Sequence, residues 1–428
     1  MSRGVTRRTF FKRSAGAAAG VGLGLALPAI IPGRALGAAD TVAASERIRV
    51  GMIGVGGMGS GHLGGLVGNR QVEVVAVCDV DQQHRDDARA RVGEKCATYN
   101  DFRELLDRAD IDAVWIATPD HWHTLTSIYA CQAGKDVYCE KPLTLTIDEG
   151  KALRNAVRRY GRVFQTGSQQ RSDWNFRYAC ELIRNGKAGK LKRITANIGG
   201  GPASGLEPDR EPPPGLDWNL WLGPAPWVPY NPQRCFYNFR WFYDYSGGKM
   251  TDWGAHHNDI GQWGHGMDDS GPVRIEATGT FPNDGLFDTA TSFRVEYTYA
   301  DGIKQYCTSD DPNGILFECA DGNVFVSRGV LESDPPDLIK LPIGPDDIHL
   351  YESPGHHQDF LDCIKTRQRT ICDVEIGFRS VTVCHLGNIA LRTGKAIEWD
   401  PVAERITNDE SLNRWLSRPY RAPWVLPA

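Results

Sequence analysis

No two cysteines of this chain stand in C-x-x-C spacing, and none of its histidine and cysteine spacings fits a zinc site, so neither a redox pair nor a structural metal organises it. The eleven cysteines are odd in number, scattered, and mostly set in apolar runs, as Cys78, Cys131, Cys139 and Cys384 are. They read as small buried hydrophobes rather than a disulfide framework. Beyond residue 39 no run of about eighteen apolar residues occurs, which predicts no stable membrane span once the N-terminus is processed. Residues 1–39 lack any acid while holding Arg3, Arg7, Arg8, Lys12, Arg13 and Arg34; without them the formal charge moves from -5 to -11. A chain that acidic is a poor nucleic-acid partner.

What is there begins with Thr6-Arg7-Arg8-Thr9-Phe10-Phe11-Lys12, followed by the mildly apolar Ala15 to Ile31 and small residues through Ala39. This is the layout of a twin-arginine signal over residues 1–39, and it predicts a periplasmic or otherwise exported protein carried folded by the twin-arginine export machinery. A membrane anchor is the competing reading, for which the run is short and weakly hydrophobic. At 428 residues the chain also exceeds one ordinary core, which predicts two domains.

The first strand signal, Arg49 to Ile53, breaks into Gly54-Val55-Gly56-Gly57-Met58-Gly59, with Gly54, Gly56 and Gly59 spaced G-x-G-x-x-G. A strand, a tight turn and a helix start let backbone N–H groups approach a pyrophosphate where the helix dipole favours negative charge. Val72 to Cys78 is a second apolar run that ends in Asp79. An acid there can accept both ribose hydroxyls and repel a 2′-phosphate, which favours NAD while leaving NADP open. The competing role for Asp79 is capping the polar helix that follows. Further strands, Ala113 to Ala117 and Val137 to Cys139, end in Thr118-Pro119-Asp120-His121-Trp122-His123 and Glu140-Lys141-Pro142. Strands alternating with helices predict a doubly wound parallel sheet over residues 40–170, its ligand beyond the strands' carboxyl ends.

From Leu191 the pattern becomes alternating strands divided by turns such as Asp301-Gly302 and Asp321-Gly322. It predicts a large open antiparallel sheet in an α/β domain over residues 171–400, with residues 401–428 as an extended tail. Gly199 to Lys249 is a loop rich in proline and aromatic residues, whose rings could stack on a sugar, form a protomer contact, or simply bury the loop. In Thr251 to Ile260, Asp252 and His256 are i, i+4 and Asp259 follows at i+3, all on one helix face with His257 turned away. A carboxylate beside an imidazole can fix its tautomer and poise it as a base. A metal held by Asp252, His256, His257, Asp259 and His265 is a rival without matching spacing, and no metal is expected. Lys141, in a restricted turn at a strand end, is the other reactive candidate; its alternative is pairing with Glu140 or a surface acid.

Together the glycine turn, Thr118 to His123, Gly134 to Pro142 and Gly247 to Asp259 resemble the Gfo/Idh/MocA oxidoreductases over about Arg47 to Arg392. The resemblance implies a Rossmann domain followed by an α/β domain whose open sheet often makes the oligomer contact, hence a homo-oligomer. It implies tightly held NAD contacted by Gly54, Gly56, Gly57, Met58, Gly59, Asp79, Thr118, Pro119, His123, Glu140 and Lys141. It further implies catalysis by Lys141, Asp252 and His256. His256 would take a hydroxyl proton from a carbohydrate or cyclitol as hydride leaves for the nicotinamide C4, and Lys141 would position substrate and nicotinamide ribose. Within the family, glycosidases that oxidise C3 transiently offer a second reaction, and a sugar-binding protein with a fixed dinucleotide a third. Two departures from the family pattern, Asp120 in place of asparagine and the aromatic insert, bear on the substrate.

Overall fold

The computed structural model describes residues 46–427. The twin-arginine segment lies outside the described residues. In chain order the first half runs β1 (Ile48–Ile53), α1 (Gly57–Val67), β2 (Val72–Cys78), α2 (Gln82–Val92), β3 (Ala97–Tyr99), α3 (Phe102–Leu106), β4 (Ala113–Ile116), α4 (Asp120–Gln132), β5 (Asp136–Cys139), α5 (Ile147–Tyr160) and β6 (Phe164–Thr166). The six strands pair in parallel in the order β3-β2-β1-β4-β5-β6. The direction in which successive strands are added reverses between β1 and β4, so the loops after these strands diverge and open a crevice. The strands are almost wholly buried because helices cover both faces, which is why they read as continuous apolar runs.

Helix α6 (Trp174–Arg184) leads into β7 (Leu191–Asn197), after which the aromatic insert carries α7 (Trp218–Leu222) and ends at α8 (Lys249–Asp252) and α9 (Gly254–His265). Then follow β8 (Arg274–Thr280), β9 (Ser292–Thr298), β10 (Lys304–Thr308), β11 (Gly314–Cys319), β12 (Asn323–Ser327), β13 (Val330–Asp334), α10 (His356–Thr366), α11 (Val374–Thr393), β14 (Ile397–Asp400) and β15 (Arg405–Ile406). These strands form one nine-stranded sheet in the order β13-β12-β11-β7-β10-β9-β8-β14-β15. It is mixed rather than wholly antiparallel, because β7 and β10 pair in parallel at its centre. Turn signals mark hairpins between neighbours but carry no information about two strands separated by about a hundred residues of chain.

One apolar core joins the two sheets. Val114, Ile116 and Val137 of the parallel sheet, Phe378 and Leu386 of α11, and Ile275, Val295 and Trp399 of the second sheet belong to a single buried cluster. All eleven cysteines are buried and unpaired, as apolar fillers should be. After β15 the chain returns to the first sheet. Trp424 packs edge-on against Trp122 of α4 at 4.8 Å between ring centroids, and the Tyr420 hydroxyl donates to Glu149 of α5 at 2.6 Å. Among the described residues, no helix is long and apolar enough to cross a membrane.

Candidate active site

The glycine turn is shaped by contact. Gly54 sits at φ +82, and a Cβ there would lie 2.7 Å from the Ala117 backbone after β4; a Cβ on Gly59 would lie 2.0 Å from the Gly54 carbonyl oxygen. A side chain at Gly54 would push the two crevice loops apart, and one at Gly59 would push α1 off its own turn. Gly57, by contrast, faces open space. Helix α1 starts with no side-chain cap and no acid in its first turn, which leaves its N–H groups available to an anion.

These groups line a crevice of about 440 Å³ together with Met58, Asp79, Thr118, Pro119, His123, Glu140 and Lys141. All the cofactor contacts expected from the sequence except Gly59, which packs under the turn, therefore share one wall. Asp79 Oδ2 accepts from the Val55 N–H at 2.8 Å and lies 3.4 Å from His84 Nδ1, while Oδ1 accepts from the Asp81 N–H at 3.0 Å and keeps a lone pair over. Asp81, not Asp79, caps α2. Thr118 has a buried hydroxyl with no partner. A dinucleotide fits this cradle: uncapped amides for the pyrophosphate, an oriented carboxylate for ribose hydroxyls, and an orphaned hydroxyl between them.

His123 and Glu140 brace the wall. The His123 ring nitrogens contact the carbonyl oxygens of Pro142 at 2.7 Å and Thr118 at 2.9 Å, tying two crevice loops together. Buried Glu140 is held by His62 at 2.8 Å and Gln169 at 2.8 Å. Burial opposes its charge, yet the His62 hydrogen bond and nearby cations outweigh this and keep its carboxyl below the usual range. The turn at Lys141 is therefore fixed from behind.

The Lys141 ammonium reaches across to α8 and donates to the Asp252 carboxylate at 2.8 Å and its carbonyl at 3.0 Å. Arg240 of the insert also donates to Asp252, at 3.2 Å. Burial penalises the Asp252 charge, but the two cations more than offset this and hold its carboxyl far below the ordinary value. Asp252 is thus an ionised acceptor between two cations rather than the direct hydrogen-bond partner of His256. The partner of His256 is Arg328, in the turn after β12, whose Nη2 lies 3.2 Å from the imidazole Nε2. Arginine only donates, so Nε2 presents its lone pair and the ring is neutral. Burial first, then Lys141 and Arg328, depress its pKa well below the usual imidazole value. His256 Nδ1 is buried without a partner.

Other residues of the same helix turn away from this chemistry. Asp259 is clasped by Arg171 through two hydrogen bonds of 2.7 and 2.8 Å, His257 contacts Asn313 at 2.8 Å, and His265 contacts Asp301 at 2.8 Å. The shared face expected for Asp252, His256 and Asp259 does not bring Asp259 to the site: it lies a turn further along α9 than His256, where Arg171 holds it. Among the described residues no cluster of His, Cys, Asp and Glu could hold a metal ion.

Sequence reasoning missed the crevice's other wall. Leu216, Leu220, Trp221, Phe236, Tyr237 and Arg240, all from the insert, line the crevice opposite the glycine turn. Most of the insert's rings build a small core of their own around Trp218, Trp221, Tyr230, Phe239 and Trp241. Phe236 and Tyr237, like Trp227, are more than half exposed; the first two line the crevice, with Phe236 at φ +53 in the left-handed region and its ring in edge contact with His84 at 6.0 Å. Backbone bonds stitch the insert to the loop after β2, from Gln82 N–H to Gly215 at 3.0 Å and from Asp217 N–H to Val80 at 3.0 Å. The density of aromatics was visible in the sequence; its destination was not.

Such an arrangement defines a class, a dinucleotide-binding Rossmann domain joined to an α/β domain that supplies polar groups at the end of the crevice. The chain belongs to the Gfo/Idh/MocA oxidoreductase family: residues 48–168 match its NAD-binding Rossmann fold and residues 203–426 its C-terminal alpha/beta domain. Among relatives, inositol 2-dehydrogenase 1 of Saccharopolyspora erythraea is 37% identical over 131 residues, 29% of this chain and 38% of that protein. A glycosyl hydrolase family 109 protein of Shewanella pealeana is 40% identical over 112 residues, 24% of this chain and 25% of that one. The chain thus spans well under half the length of either relative. In fold it is similar to the WlbA dehydrogenase of Bordetella pertussis in complex with NADH and UDP-GlcNAcA. That likeness has a TM-score of 0.62 at 18% identity, covering 83% of this chain and 99% of that one. Aldose-aldose oxidoreductase of Caulobacter crescentus gives a TM-score of 0.61 at 18% identity, over 82% and 99% of the two chains.

Proposed function

We propose that the protein is an exported NAD-linked oxidoreductase acting on a secondary hydroxyl of a sugar, glycoside or cyclitol. The observation that carries the reading is the Lys141–Asp252 pair at 2.8 Å on the edge of the dinucleotide crevice, with the neutral, acceptor Nε2 of His256 one helical turn beyond. Bound NAD supplies the hydride acceptor. His256 takes the hydroxyl proton at Nε2, exchanging its Arg328 contact for the substrate. Lys141 donates to the same oxygen and stabilises the charge that develops there, while Asp252 anchors the lysine and keeps it charged. The insert walls water from the crevice.

Purified holoenzyme, denatured to identify the released dinucleotide and assayed fresh against free sugars, inositols and nitrophenyl glycosides, tests this reading. Reduced nicotinamide should accumulate with a free sugar or cyclitol; absence of any bound or bindable dinucleotide would sink it. A second reading, redox-neutral glycosidic cleavage through transient C3 oxidation, draws on the likeness to the family 109 glycosyl hydrolase and is marked by nitrophenol release without net reduction. Export rests on the Arg7-Arg8 segment, and Arg7→Lys with Arg8→Lys should retain the protein inside the cell. A homo-oligomer, built through the open face of the nine-stranded sheet, is the assembly we expect from light scattering.

A further inference from the structure

Cations outnumber carboxylates around His256. Asp252 is shared by Lys141 and Arg240, with Glu140 and Asp120 the next carboxylates to these cations. Two more cations meet at the ring of Trp253: the Arg328 guanidinium lies 4.8 Å from its centroid and the Lys249 ammonium 5.6 Å. Among the described residues, neither Arg328 nor Lys249 forms an ion pair with a carboxylate. Arg328 is exposed and Lys249 half-buried, whereas buried Arg171 and half-buried Arg154 are both paired with carboxylates. Trp253 itself is partly exposed and lies 5.9 Å from the His256 ring, so the two cations, the indole face and the proton acceptor border one surface.

Neutral hydroxyls have no need of such an excess, and leaving cations together without a counter-charge costs free energy that an anionic ligand would recover. A guanidinium presents a planar fork that matches an oxyacid group through two parallel hydrogen bonds, and an indole face suits the C–H side of a pyranose ring. We propose that the substrate is an anionic sugar whose oxyacid group, a carboxylate or a sulfate ester, is bound by Arg328 and Lys249 beside Trp253 while a ring hydroxyl faces His256. Drawing Arg328 onto that group frees the lone pair of His256 Nε2. The bound negative charge also cancels part of the field that holds the imidazole a weak base, so the anion prepares the base as it binds. The inference rests on His256 as the proton acceptor of the proposed reaction.

The test compares D-glucuronate with D-glucuronamide, which has the same shape without the charge, and D-glucose 6-sulfate with D-glucose, all on holoenzyme. Nicotinamide reduction gives kcat and KM, and calorimetric titration gives binding independently of turnover. The charged member of a pair should be favoured about tenfold or more in kcat/KM and in affinity, and whichever pair shows it separates a carboxylate from a sulfate ester. Arg328→Gln and Lys249→Gln should each shrink that ratio, mainly through KM for the charged sugar. A preference for the charged sugar that both variants retain would overturn the proposal, as would equal use and equal binding of charged and neutral members. Charge-selective binding without reduction of any sugar would keep the anion site and sink the oxidoreductase reading instead, whereas turnover of neutral sugars alone would do the reverse.

Discussion

Two buried ion clusters lie along α8 and α9, seven residues apart, and they behave in opposite ways. At Asp259 the Arg171 guanidinium is shared with Asp268, Ser380 adds a further donor, and both Arg171 and Asp259 are essentially without solvent contact. One guanidinium serves two carboxylates, its donors are used, and it lies 4.9 Å from the Trp263 ring centroid. At Asp252 the cations exceed the acids, a neighbouring imidazole nitrogen has no partner, and the cluster opens on a crevice. A closed, fully hydrogen-bonded network holds helices together; an open one with an unpaired imidazole nitrogen waits for a ligand.

That contrast can be broken experimentally. His256→Ala or Lys141→Ala should reduce turnover by about 10²–10⁴-fold while the protein keeps its dinucleotide and its melting temperature; loss of the cofactor at the same time would move these residues out of the reacting set. Arg171→Met should do the opposite. It strands Asp259 in the core and should lower stability by about 3–5 kcal/mol in denaturant titrations, with kcat of the remaining folded enzyme little changed.

Titration sharpens the comparison further. Burial, then Arg418, holds His385 at about 3, and burial holds His356 and His357 at about 4, each against an ordinary 6.5. These imidazoles stay neutral when folded, whereas in the unfolded chain they bind protons below about pH 6.5. Their contribution to stability is therefore complete above that pH and is lost as pH falls toward 4, by about 1.4 kcal/mol per pH unit for each proton. Buried acids such as Glu149 and Asp259, whose pKa values are raised by burial, act in the opposite sense. His385→Gln isolates one imidazole and should flatten the stability profile between pH 6.5 and 4 by about one proton's worth. The smallest effect belongs to the crevice mouth: Tyr237→Ala should speed dinucleotide release from holoenzyme about threefold to tenfold, read by fluorescence after dilution, and an unchanged rate would deny the insert a role in retention.

Much of the fold was legible because its signals are local. The glycine turn, the Val72 to Cys78 strand ending at Asp79, and the strands leading to Thr118 and Glu140 each declare themselves within about ten residues. Lys141 stood out for the same reason, as did Asp252 with His256. Arg240, Arg328 and Lys249 did not, since an arginine or lysine in a loop has no periodicity to betray what it faces. Asp259 misled because helical spacing assigns a face but not a partner: a turn beyond His256 on the same helix, that face meets Arg171. The parallel pairing of β7 with β10 was equally invisible, being a contact between distant segments that no turn encodes.

The docking of Trp424 on Trp122 bears on the order of events during synthesis. Helix α4 begins in the crevice loop at Asp120, and the residues that cover its outer side are made only after both sheets. While the ribosome still holds residues 418–427, this side of the first-made domain lacks its covering, and Arg421 cannot yet bond the insert at Gly223 and Asn219. The crevice is therefore expected to reach its final rigidity only once residues 418–427 have emerged, which places secure capture of the dinucleotide after synthesis of the second sheet.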